Sequence, residues 1–298
     1  MVTRKSELAR CLQSLLLVFS LLGTSIAWAD SPAALREQYA SLGEKLSQSP
    51  FKRPLILDST EAPDRVQGDV LAVINFPFAT VKAGLNSPDH WCDVMILHIN
   101  TKYCRASTGP AGTFLRVHIG RKTPEALADS VGVDFSYRAA AASDEYLDIF
   151  LSATQGPMGT SDYRIRLEAV PLPGDRTFLH LSYAYCTSLV GRLAMETYLA
   201  TLGSEKVGFT VTGTQADGQT EFIGGVRAVV ERNTMRYYLA IDAFLEAEKA
   251  APAERLERRL QNWFTATESY PRQLHEMDRA SYLEMKRAEV ARQNSVLE

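Results

Sequence analysis

The sequence predicts an α+β fold: an antiparallel β-sheet and one long amphipathic helix, with further helices at both ends. Two observations carry that prediction. Between residues 113 and 186 the chain is strand after strand, each alternating apolar and polar side chains. After it, "GGVRAVVERNTMRYYLAIDAFLEAEKA" (224–250) places Val226, Val229, Val230, Asn233, Tyr237, Ala240, Ile241 and Phe244 on one helical stripe.

In chain order, "PAALREQYASLGEKLS" (32–47) reads as a polar amphipathic helix, and 48–67 as a Pro-containing connector without clear periodicity. "GDVLAVINF" (68–76) is β-branched and apolar, a strand that Pro77 stops. "PFATVKAGLNSP" (77–88) is a short helix bounded by Pro77 and Pro88. From residue 89 two readings compete. At 100° per residue Trp91, Cys92, Met95, Ile96 and Ile99 share a face, with His98 at its edge, which predicts a second short helix to about Ile99. The high β-branched content allows a strand from Val94 instead. "NTKYCRA" (100–106) is a strand.

The middle strands are "TFLRVHIG" (113–120), "GVDFSYRA" (132–139), "EYLDIFLSA" (145–153), "SDYRIRLEAV" (161–170) and "RTFLHLSYAYC" (176–186). Their period of two gives one buried and one wet face. Turn chemistry such as "PLPGD" between them implies an antiparallel meander. "SLVGRLAMETYLATLG" (188–203) is a helix from a Ser188 cap to Gly203. A Gly-rich excursion follows, with a hairpin around Asp217-Gly218. Residues 252–298 are charged and helical, broken at Pro271, and Trp263 and Phe264 dock them at least to residue 285.

The N-terminus sets the compartment. Arg4, Lys5 and Arg10 precede the apolar run "LLLVFSLL" and an "AWA" site. This is the pattern of a secretory signal peptide over residues 1–29, cut after Ala29. It predicts a secreted, periplasmic protein. Cleavage removes three basic residues and one acidic one, so the formal charge of -3 becomes -5. An acidic balance argues against a nucleic-acid partner.

"DHWCDVMILHINTKYC" (89–104) holds two cysteines and two histidines. In an oxidising compartment nearby cysteines pair. If 92–104 were one strand, Cys92 and Cys104 would lie over about 30 Å apart and could not bridge. If 89–99 is helical and the chain turns near Asn100, they can. Cys92–Cys186 and Cys104–Cys186 stay open as other pairings, and a Cys186 left over is expected to be buried. A zinc site from His90, Cys92, His98 and Cys104 matches no common structural spacing, and C-x-x-C is absent. No P-loop, G-x-S-x-G or H-E-x-x-H occurs. A Cys–His nucleophile using His98 or His118 is conceivable, but no catalytic constellation, metal or cofactor is implied. Arg232 and Arg236 fall off the long helix's stripe, solvated or paired with Glu231, Glu196 or Asp242.

The order of elements resembles the START-like, helix-grip superfamily, also called the polyketide cyclase/dehydrase and lipid-transport superfamily. The resembling residues are "GDVLAVINFPFATVKAGLNSPDHW" for the first strand and helix pair. At the other end, "TFLHLSYAYC" leads to "GGVRAVVERNTMRYYLAIDAFL". The helix-and-excursion stretch 188–223 departs from that order. The resemblance implies a curved sheet of about seven strands around the long helix, with a deep apolar pocket between them. It divides the chain into signal peptide (1–29), N-terminal helix and connector (30–67), START-like domain (68–250) and C-terminal helical extension (251–298). It implies a hydrophobic small molecule or lipid as partner, with transient membrane contact and any protein partner left open. A cyclase or hydrolase on the same scaffold is the alternative, and a protein-interaction module with a filled core is a third reading. In that third reading residues 252–298 are dispensable for folding. Trp91, Met95 and His98 become candidates for the pocket wall. Asn233, Tyr237, Tyr183 and Tyr185 become candidates for orienting a polar head, or simply bond to the sheet.

Overall fold

The computed structural model describes residues 31–188, 191, 193 and 205–295. The expected signal peptide and nearly all of the helix expected over 188–203 lie outside them.

The N-terminal helix is two pieces, α1 (Pro32–Ser41) and α2 (Gly43–Ser47). Then come β1 (Leu55–Glu61), β2 (Arg65–Ile74), α3 (Phe78–Leu85) and α4 (Pro88–Met95). The meander is β3 (Thr101–Gly109), β4 (Gly112–Ile119), β5 (Val131–Ala142), β6 (Leu147–Gln155), β7 (Thr160–Leu172) and β8 (Arg176–Thr187). A small hairpin, β9 (Val211–Thr214) and β10 (Thr220–Phe222), precedes the long α5 (Gly225–Ala247). The chain ends in α6 (Arg255–Thr267), α7 (Pro271–Leu274) and α8 (Arg279–Ser295).

The main sheet has eight strands in the order β1-β2-β8-β7-β6-β5-β4-β3, one more than expected. The additional strand is β1, inside the stretch read as a connector. Its periodicity is hidden because Ser59, an inward position, is polar; its hydroxyl donates to Glu231 Oε1 at 2.6 Å in the buried interior. All neighbouring strands pair antiparallel. Register shifts in β3, β5 and β7 are bulges of the kind that bend a sheet.

Alternation sends Val70, Leu115, Phe135, Ile149, Ile165 and Leu181 to the face that packs on α5. Leu71, Val73, Tyr146, Val170 and Phe178 take the other face, under Leu35 and Leu46 of α1 and α2. The grip of α5 on the sheet is closest at Gly68 of β2. A Cβ there would lie 2.3 Å from Thr234 Oγ1 and 3.4 Å from the Val230 carbonyl.

The stripe read along α5 is too narrow a description. Glu231, Arg232, Arg236, Tyr238 and Leu239 are buried as well, because α6 and the 206–210 segment cover the far side. Trp263 of α6 donates its indole N–H to the Arg236 carbonyl at 3.1 Å. Among the described residues no helix is long and apolar enough to cross a membrane.

Candidate functional site

The corner at 84–104 positions the first site residues. Pro88 opens α4, and Ser87 precedes it in extended backbone. Trp91 Nε1 donates to the Leu85 carbonyl at 2.8 Å, and the His90 ring bonds the Gly84 carbonyl at 2.8 Å, so α4 is tied to the end of α3. The chain turns after Met95. Asn100 fixes the turn: its side-chain amide donates to the Gly120 carbonyl at 2.7 Å, and its carbonyl accepts from Gly120 N–H at 2.8 Å. With that turn made, Cys92 and Cys104 come to 5.1 Å between Cα atoms and form a disulfide. The disulfide removes the thiolates that a zinc site or a Cys–His nucleophile would need. Cys186 stays reduced and is half-exposed rather than buried, with Sγ 3.8 Å from Asp162 Oδ2.

His98 sits at the end of this turn, 4% exposed. Its Nδ1 accepts from Asn100 N–H at 3.2 Å, so the neutral ring carries its proton on Nε2. Burial, together with the nearby Arg236, Lys286 and Lys122 charges, holds its pKa well below the usual histidine value. The ring stacks on Tyr237 of α5, centroids 4.9 Å apart.

From there a chain of rings runs across the inner face of the sheet. Tyr237 meets Tyr183 at 5.4 Å, Tyr183 meets Tyr185 at 5.6 Å, and Tyr185 stacks on Tyr163 at 5.4 Å. Tyr163 meets Phe135 edge-on at 6.0 Å. Asn233, one turn before Tyr237, lies against both His98 and Tyr183. Burial raises the pKa of Tyr163, Tyr183, Tyr185 and Tyr237, so all four remain neutral phenols.

The polar end of this array is charged. Arg236, 2% exposed, bonds Glu276 at 2.8 Å through its guanidinium. Lys122 and Lys206 reach the same carboxylate at 2.5 and 2.9 Å. Glu276 is disfavoured as an anion by its burial, yet its three cations bring its pKa down to about 2. Arg236 therefore is not solvated, and of its expected partners Glu231 and Asp242 are engaged elsewhere while Glu196 lies outside the described residues. Asp242 pairs with Arg53, and Glu231 accepts from the Phe209 and Thr210 N–H groups. Arg232 is buried too and donates to the Val207 carbonyl.

Of the expected site residues, His98, Tyr183, Tyr185, Asn233 and Tyr237 come together. Trp91 and Met95 are buried in the core at the corner, and neither joins the ring array. Tyr163 and Phe135 were missed as site residues although the alternation of their strands already pointed them inward. Arg236 had no local signal, since its partner stands 40 residues away.

The opposite face of the sheet carries a separate buried ionic ladder. His180 Nε2 bonds Asp69 Oδ1 at 2.8 Å, and its Nδ1 lies 3.6 Å from Glu168. Tyr146 donates to Glu168 at 2.6 Å, and Arg166 holds Asp148 through two bonds of 2.9 and 2.8 Å. Burial disfavours the imidazolium, but the bonds to Asp69 and Glu168 outweigh it and raise the His180 pKa to about 9.

An antiparallel sheet gripping a long C-terminal helix, with two short helices inserted after the first long strand, is a helix-grip arrangement. Solved structures with a likeness to it include a START superfamily protein from Mycobacterium smegmatis at 19% identity, covering 47% of this chain and 92% of that one with a TM-score of 0.31. Ara h 8.0201 is 11% identical, covers 61% and 99%, and has a TM-score of 0.37. Norcoclaurine synthase from Thalictrum flavum is 12% identical, covers 49% and 91%, and has a TM-score of 0.34. No family model matches the chain, and no curated protein does.

Proposed function

We propose that the protein binds a hydrophobic small molecule or lipid between the inner face of the sheet and α5. One observation carries this reading. Asn233 and Tyr237 lie on the sheet-facing side of α5 yet keep accessible surface, whereas Val230, Thr234 and Ile241 beside them are at most 1% exposed. The helix and sheet are therefore not sealed at that point, and the surfaces facing each other there are aromatic. An apolar wall with a few placed polar groups is the make-up of a small-molecule site. Burial of ligand surface supplies the affinity, on the order of 25 cal/mol per Å². Export to an oxidising compartment is part of the proposal, supported by the Cys92–Cys104 disulfide and the N-terminal sequence pattern.

A titration with the neutral fluorophore N-phenyl-1-naphthylamine tests the reading. Saturable binding at one probe per chain is expected, weakened in Tyr237→Ala. No saturable binding, or a Tyr237→Ala variant that binds as well as the parent, would count against it.

A further inference from the structure

The polar end of the ring array has an excess of hydrogen-bond donors and of positive charge. Arg236 Nε–H is buried without a hydrogen-bond partner among the described residues. His98 Nε2 is buried too and faces Asn233 without a bond of good geometry. Since Nδ1 is committed as an acceptor, this nitrogen is a donor. A buried donor left unpaired loses its hydrogen bond to water with nothing in return, so a site that keeps two in one place suits an acceptor from outside.

Charge points the same way. Among the described residues, Arg236, Lys122 and Lys206 share the single carboxylate of Glu276. Lys102 and Lys286, on the other side of His98, share the single carboxylate of Glu289. Among other acids nearby, Glu125 turns to Arg121, and Glu284 is exposed. Of this cluster, Lys122, Glu276 and Glu289 line a cavity of about 580 Å³ together with Glu125, Glu284 and Arg292, while His98 and Arg236 are not part of its lining.

We infer that the ligand is an amphiphile with an anionic head, seated between His98 Nε2, Arg236 and Lys122 with its chain along the tyrosines. This rests on the binding reading above and adds the class of ligand. A long-chain carboxylate and an alkyl phosphate present the same chemistry to these donors.

Displacement of N-phenyl-1-naphthylamine from the intact protein by hexadecanoate, hexadecyl phosphate and hexadecanol separates the possibilities. At least one acid is expected to bind roughly tenfold or more tightly than the alcohol, and which one does so identifies the head group. The double variant Lys122→Gln/Lys206→Gln alters side chains that are about a third exposed and leaves Arg236 paired with Glu276. It is expected to lose the preference for acid over hexadecanol. Equal affinity for acid and alcohol, or a preference that survives in the double variant, overturns the anionic assignment and leaves apolar binding standing. Displacement by none of the three overturns both.

Discussion

At the residue scale, the buried charges are the least obvious feature and the most testable. Glu289 lies between Lys102 and Lys286, accepting from them at 2.9 and 2.8 Å, and both ammonium groups are 0% exposed. Removing one member of a buried ionic group leaves uncompensated charge. Glu289→Ala is therefore expected to destabilise by about 3 kcal/mol, the lower end of the usual cost, because backbone carbonyls still accept from both lysines. Urea unfolding measures this; a change below about 0.5 kcal/mol would contradict it. His180 gives a pH signature. Its folded pKa of about 9 lies above the ordinary value near 6.5. The stability it contributes is thus complete below pH 6.5 and lost as pH rises through 9. The depressed His98 and His118 act below pH 6.5, and Lys122 and Lys286, both lowered to about 8, act above pH 8. Between pH 6.5 and 8 the slope belongs to His180. About 1–2 kcal/mol should disappear there, and the slope should flatten in His180→Gln.

At the element scale, the C-terminal helices are part of the fold and not a detachable arm. Tyr282 donates to the Leu97 carbonyl at 2.9 Å, and Lys286 to the His98 and Thr101 carbonyls at 2.6 and 2.8 Å. Gln293 accepts from Cys104 N–H, and Arg292 donates to the Lys102 carbonyl, so α8 covers the backbone of the edge strand β3. The expectation that residues 252–298 could be deleted with the core left folded fails on this geometry. A chain ending at residue 278 would bury Lys102 without Glu289 and is expected to unfold or aggregate in circular dichroism and sedimentation measurements. The disulfide staples the same corner with a sequence separation of 12. Its loss in Cys92→Ser/Cys104→Ser should cost up to about 3 kcal/mol in the chain-entropy account. Gly68→Val should cost about 1–3 kcal/mol, because the new side chain meets Thr234 and the Val230 carbonyl where α5 is nearest the sheet.

How much of this was legible follows from which interactions are local. The meander, the helix over 77–88 and the long helix are written in periodicity, prolines and turn residues, whereas the second short helix and the turn at Asn100 stood as one of two competing readings. The clustering of His98, Tyr183, Tyr185, Asn233 and Tyr237 followed from element order and polar groups on apolar stripes. β1 was illegible because its inward Ser59 is satisfied by Glu231, 172 residues away. Arg236, Lys102 and Lys286 were illegible for a related reason. A charged residue off an apolar stripe reads as solvated, and only a distant partner makes its burial tolerable. Those long-range charges carry the anionic assignment proposed for the site, so the apolar character of the ring array was readable and the charges beside it were not.

At the scale of the whole molecule, the parts serve one arrangement. Helices α1 and α2 seal one face of the sheet, while α5, α6 and α8 close over the other. The disulfide corner fixes His98 against Tyr237, and the ring array packs between α5 and the sheet. The most direct test is native mass spectrometry of protein purified without detergent, with organic extraction of whatever it carries. A single apolar molecule with an acidic head, present at one per chain and depleted in Tyr237→Ala, is the predicted result. A protein that remains empty, and that takes up no hexadecanoate, hexadecyl phosphate or hexadecanol when they are added back, would contradict the account.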